Sequence, residues 1–181
     1  MEREDEGAAA DAEDAAAARL GDGDAYARLV RRRQDEVSRR MWRFARDRSA
    51  HEELVQNVFV EAYRSLAGFR GLAPFSHWLH KIAVRVGYAY WRERARSPGP
   101  LHEADVARLA EPAGAAAEAG ELVHRALAML SPRDRLVLTL QYLEGRKVSE
   151  IAELTGWSSV MVKVKAWRAR GRLKRLLEEE R

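Results

Sequence analysis

The most constraining stretch of the chain is VSEIAELTGWSSVMVKVKAWRARGRLKRLL, residues 148–177. Ala152, Gly156 and Val162 stand at the spacing Ala-x3-Gly-x5-Val. A small side chain at Ala152 lets two helices cross closely, Gly156 supplies the turn between them, and Val162 plugs back into the crossing. The spacing predicts helices over 148–154 and 159–177 joined as a helix-turn-helix. In the second helix Val162, Ala166, Ala169, Leu173 and Leu176 form a buried stripe. Met161, Val164, Lys165, Arg168 and Arg172 turn away from it, with Lys163 and Trp167 on the flanks. A basic face at the front of that helix suits docking in a DNA major groove: Lys and Arg neutralise phosphates, and an Arg can read a guanine edge. A basic helix that merely stays soluble would share the composition but would not need the turn spacing.

The rest of the chain carries the same period. Tyr26, Leu29, Val30, Val37, Met41, Phe44 and Ala45 predict one helix over 24–46, with Arg31, Arg32, Arg33, Arg39 and Arg40 on its other positions. Ser49 and Glu52 read as a capping box that opens a second helix, whose stripe is Val55, Val58, Phe59, Ala62 and Leu66 and whose stop is Gly68. After the loop FRGLAPF, a third helix is predicted over 77–94 with Ser76 as its cap, burying Leu79, Ile82, Ala83, Val86 and Tyr90. Residues 96–120 hold three of the five prolines, with Gly99, Gly114, Gly120 and eight alanines, and read as a linker. Beyond it, helices are expected at 121–130 and from Ser131-Pro132-Arg133-Asp134 through Leu136, Val137, Leu140 and Tyr142 to Gly145. No segment alternates with period two. The expected fold class is all-α, two small helical domains at 23–95 and 121–178 joined by the linker.

Charge divides the chain. Residues 1–24 carry nine acids and two bases, whereas the remaining 157 carry 30 bases and 19 acids. Residues 1–22, rich in Ala, Asp and Glu, are expected to form an acidic disordered tail, partly helical in its Ala runs. The basic remainder points to a polyanionic partner, although a well-solvated helical surface would have the same charge. With no cysteine, the chain has no disulfide scaffold, Cys-ligated zinc site or thiol nucleophile. Neither a membrane span nor a basic secretory leader is legible, so a cytoplasmic location is expected.

Taken in order, these motifs resemble the sigma-70 family of bacterial RNA polymerase sigma factors, and within it the extracytoplasmic-function (ECF) group, which keeps regions 2 and 4. The resemblance covers about residues 24–94 and 121–177. HEELVQNVFVEAYRSL is similar to the region 2.2 helix, which implies binding to the clamp helices of the polymerase β′ subunit through Glu52, Glu53, Val55, Gln56, Asn57 and Phe59, with Leu54 also matching. FRGLAPFSHWLHKIA resembles the loop and helix that capture the −10 element. That likeness implies −10 DNA contacts from Phe69, Arg70, Phe75, His77, Lys81, Arg85, Tyr88 and Arg92. ALAMLSPRDRLVLTLQYLEG and EIAELTG resemble region 4, implying −35 contacts from Met161, Lys163, Val164, Lys165, Trp167, Arg168 and Arg172. The implied partners are core RNA polymerase (β′ clamp helices and β subunit), promoter DNA and an anti-sigma factor. Independently of the resemblance, trapping unpaired bases needs aromatic platforms among cations. The third helix has Trp78, Tyr88, Tyr90 and Trp91 among Lys81, Arg85, Arg92 and Arg94, with Trp78 and Tyr90 favoured as core.

The chain departs from the family pattern at Arg85, usually Asn; at Ala89, usually an acid or Asn; at Lys147, commonly a cap such as Ser; and at Val160-Met161, usually Gly-Thr. These positions bear on base preference. His77 and His80, three apart on a helix, read as residues of a DNA-facing helix rather than a metal pair. Gly21-Asp22-Gly23 lacks the Lys and strand of a phosphate loop. No enzyme, metal or cofactor is expected. The rival from another class is a stand-alone helix-turn-helix regulator, which has no use for HEELVQNVFVEAY. A protein-only adaptor would leave the basic recognition face unexplained.

Overall fold

The structure, a computed structural model, describes residues 2–96 and 115–179. Eight α-helices and no strands are found among them. Two compact units are formed, Met1–Gly87 and Tyr88–Arg181. Residues 97–114, most of the expected linker, lie outside the described residues.

The first unit begins with a correction. The Ala- and acid-rich start of the chain is not a tail: it forms helix α1, Glu2–Arg19. α1 packs against α2 (Gly23–Met41) and against the short turn Leu66–Gly68. Among residues 7–19, the buried ones are Asp11, Asp14, Ala15 and Ala18. Asp11 accepts hydrogen bonds from Arg32 Nη1 at 2.6 Å and Arg33 Nε at 2.7 Å. Asp14 accepts from Arg28 Nε at 2.9 Å and Arg32 Nη2 at 2.6 Å. Charge pairing and alanine contact therefore hold a helix that an apolar stripe would not reveal.

α2 starts at Asp22, whose carboxylate accepts from the Ala25 amide at 2.9 Å. It ends at Met41, earlier than expected, and Phe44 and Ala45 reach the core from the following turn. α3 (Arg48–Ser65) is capped by Asp47, which accepts from the Ala50 amide at 3.0 Å. The expected Ser49–Glu52 box is not formed, because Glu52 pairs with Arg48 at 2.9 Å. α4 (Phe75–Arg96) starts two residues earlier than a Ser76 cap implies, with the Pro74 carbonyl accepting from the His77 and Trp78 amides. It buries Leu79, Ile82, Ala83 and Val84. Burial of each large aliphatic side chain contributes about 1.5–3 kcal/mol. α4 continues past Gly87 into the second unit.

In the second unit α5 (Ala115–Ala128) takes in the last six residues assigned to the linker. α6 (Pro132–Leu138) opens as expected: the Ser131 hydroxyl accepts from the Asp134 amide at 3.3 Å, and Pro132 occupies the first position. Residues 136–140 are all buried, so this helix is surrounded rather than amphipathic. It ends in a π-turn, Thr139–Leu143, not in a continued α-helix, and Tyr142 points to solvent. α7 (Val148–Thr155) and α8 (Ser159–Glu179) complete the unit. Leu127, Leu130, Leu138 and Ala169 form a core flanked by Val123, Leu143, Leu173 and Leu176.

Candidate nucleic-acid and polymerase interfaces

The α7–turn–α8 hairpin has the geometry its spacing requires. Gly156 adopts φ +74°, a conformation that L side chains rarely take, and its amide donates to the Ala152 carbonyl at 2.9 Å. Val162, fully buried, is the plug. Ala152 is half-buried. At Lys147 no side-chain acceptor stands at the cap; instead Glu150 accepts from the Lys147 amide at 2.8 Å. That bond and the Arg146 guanidinium hold the Glu150 carboxyl below its ordinary value.

The seven residues expected on DNA divide into two groups. Lys163, Val164, Trp167 and Arg168 are exposed along α8, and Met161 is half-buried. Lys165, half-buried, and Arg172, still exposed, turn toward Asp134 of α6. The buried Asp134 carboxylate accepts from Arg172 Nη1 at 2.5 Å, and Lys165 Nζ lies 3.6 Å from its other oxygen, an ion pair beyond hydrogen-bond range. These two cations position α8 on α6, and less of their charge is offered outward. Gly171, Lys174 and Arg175, absent from the sequence expectation, border an open basic groove of about 540 Å³ with Trp167, Arg168, Arg170 and Arg172. The signal was the continued run of bases after Arg168.

In the first unit, Phe69, Arg70, His77 and Lys81 come together around an open recess of about 200 Å³ with Trp78 as a wall. Phe69 is nevertheless buried, and so is Phe75. The two rings meet edge-on at 5.6 Å and both pack on Trp78. Phe75 is thus a core residue that shapes the loop, not an open stacking platform. Arg85 and Arg92 are exposed on α4, with Tyr88 half-buried and the Arg92 guanidinium 5.7 Å from its ring. Trp91, offered by the sequence as a platform, is buried, whereas Trp78 and Tyr90 are half-buried. His80 is also interior, its Nε2 accepting from Arg40 Nη1 at 2.8 Å, which removes it from a DNA-facing surface.

On α3 the outer face carries Glu52, Glu53, Gln56 and Asn57, all exposed, while Val55 and Phe59 are half-buried. Val60 and Tyr63, absent from the sequence expectation, extend the same face and are exposed. They follow Gln56 at i+4 and i+7, a periodic signal hidden because both residues also fit a core stripe. Tyr26 braces this helix: its hydroxyl donates to the Phe59 carbonyl at 2.5 Å, and its ring meets Tyr63 at 4.9 Å. Burial pushes the Tyr26 hydroxyl up to about 12, so it stays protonated as a donor.

Comparison with known proteins decides the family. Residues 29–97 match the family described as Sigma-70 region 2, and residues 120–173 match Sigma-70, region 4. The ECF RNA polymerase sigma factor SigM of Mycobacterium tuberculosis is 32% identical over 168 residues, covering 92% of this chain and 84% of that protein. The chain belongs to the sigma-70 family, in its ECF group. This sigma factor is also 30% identical to the "Probable RNA polymerase sigma factor RfaY" of Xanthomonas campestris, covering 81% of this chain but only 38% of that longer protein. Among solved structures, CnrH in complex with the cytosolic domain of CnrY superposes with a TM-score of 0.64 at 25% identity, covering 95% of this sigma factor and 99% of CnrH. The chain is a sigma factor and not a stand-alone helix-turn-helix regulator. No described helix is long and apolar enough to cross a membrane.

Proposed function

We propose that this sigma factor binds core RNA polymerase through the outer face of α3, captures the −10 element with the loop and front of α4, and reads the −35 duplex with the exposed front of α8. The observation that carries this reading is the α3 face itself. Glu53, Gln56, Asn57, Val60 and Tyr63 form a continuous exposed surface that a DNA-only regulator has no use for. Apolar side chains among acids and amides suit a protein groove, whereas DNA would be repelled by the acids. The recess lined by Arg70, His77, Trp78 and Lys81 joins cations to an aromatic wall, a combination that holds an unpaired base and its phosphates. The front of α8 carries Lys163 and Arg168 for phosphates and base edges. The reading requires no catalytic group in this chain and a cytoplasmic site of action, where polymerase works. An anti-sigma factor is the natural antagonist, since the sigma factor RpoE of Bartonella quintana was solved in complex with the anti-sigma factor NepR.

The test is transcription in vitro with core polymerase across a promoter library. Arg168→Ala should change discrimination at one −35 position, and Arg85→Asn should change preference only within the −10 element. Failure of the wild-type chain to co-purify with core polymerase, or an exchange of those two effects, would overturn the reading.

A further inference from the structure

The front of α8 exposes hydrocarbon where a DNA reader ordinarily offers hydrogen bonds. Val160 is 71% exposed and Val164 is 42% exposed, one turn apart, while Val162 between them is fully buried. Folding does not account for the outer pair, since neither contributes to the core. Local helix stability does not account for them either, because branched side chains are among the weaker helix formers. The Ser158 hydroxyl is occupied in accepting from the Met161 amide at 3.2 Å, while the exposed Ser159 precedes Val160. A base edge that meets Val160 and Val164 themselves meets two branched alkyl groups, which offer neither donor nor acceptor.

The major groove presents one apolar group among its unmodified bases, the C5-methyl of thymine. We infer that Val160 and Val164 read thymine methyls in the −35 duplex, making thymine a preferred base at the positions under the first turns of α8. Charge selects DNA over an apolar protein as the occupant. Lys163 and Arg168, both exposed, flank the valines, and they would be left without counter-charge against an uncharged groove. At Val160 the chain departs from the family pattern, which usually has Gly-Thr where Val160-Met161 stands. Burying a methyl on a valine should strengthen binding about fourfold.

This inference rests on the −35 assignment to α8, so the experiment separates the two. Holoenzyme reconstituted from the full chain and core polymerase selects −35 sequences from a randomised duplex library. Each enriched thymine is then replaced by deoxyuridine, which removes only the methyl. Wild-type holoenzyme should bind about fourfold less tightly for each contacted methyl lost. The double variant Val160→Ser, Val164→Ser, checked for unchanged helicity, should bind thymine and uracil duplexes alike. Enriched −35 sequences with no response to deoxyuridine would overturn the methyl readout while leaving the −35 assignment intact. An equal uracil penalty in the double variant would do the same. Loss of core polymerase binding in the double variant would make the valines a protein contact and also overturn it. Absence of any −35 enrichment would overturn the −35 assignment, and the readout with it.

Discussion

Phe44 lies flat against Gly87: a Cβ built on Gly87 would stand 2.3 Å from Phe44 Cδ1 and 2.4 Å from Cγ. The ring is buried and belongs to the turn after α2, so the absence of a side chain on α4 is what admits it. Gly87→Ala should accordingly destabilise the first unit by about 1–3 kcal/mol through overpacking, despite the better helix propensity of alanine. Thermal unfolding measures this. A variant as stable as wild type would mean that the ring moves aside without cost.

The α1–α2 contact should weaken in acid. Burial would raise the Asp14 carboxyl, but hydrogen bonds from Arg32 and Arg28 outweigh it and hold Asp14 below its ordinary 3.8. Glu36 is likewise held below 4.5, burial being outweighed by Arg40 and Arg33. Groups depressed in the folded state contribute their full stability above the unfolded value and lose it as pH falls through the folded one. Stability should therefore be flat on this account near neutrality and decline below about pH 4. Asp14→Asn should flatten that decline and cost about 1–3 kcal/mol at pH 7. Urea titrations at several pH values separate the two effects.

Two lysines two residues apart on α8 should behave differently. Lys163 is exposed, whereas Lys165 lies by the buried Asp134. Lys163→Ala should lower the slope of log affinity against log salt by about one, whereas Lys165→Ala should change it less and reduce thermal stability instead. Asp134→Asn should destabilise the second unit by about 1–3 kcal/mol, because it leaves Arg172 and Lys165 without their shared anion. Salt-dependent binding of −35 duplexes by holoenzyme, with melting curves of each variant, checks all three.

Charge reversal of Glu52 and Glu53 to Lys should weaken holoenzyme formation at least tenfold and leave circular dichroism unchanged. Both side chains are exposed, and Glu52 gives up only a surface pair with Arg48. Undiminished affinity for core polymerase would remove α3 from the interface.

How far the sequence could be read depended on which force held each element. α7 and α8 were legible because a small residue, a turn glycine and a valine plug are local steric requirements. α1 was not, since Asp11 and Asp14 are buried by arginines on another helix and hydrophobic periodicity does not count them. The start of α3 was displaced because Asp47 and Ser49 can both cap a helix, and Arg48 was free to engage Glu52. Phe75 and Trp91 were read toward DNA because an aromatic ring that stacks on bases and one that fills a core look alike until burial is known. The Arg172–Asp134 pair was hidden for a related reason: the anion lies 38 residues earlier in the chain.

The attachment of α1 also ties the surface charge of the first unit to whether that helix is docked. Among the residues whose burial is described, its buried side chains are two aspartates and two alanines, so its hold is ionic where the rest of the unit's is aliphatic. Undocking it would uncover Arg28, Arg32 and Arg33. The docked helix therefore masks cationic surface that a polyanion would otherwise meet.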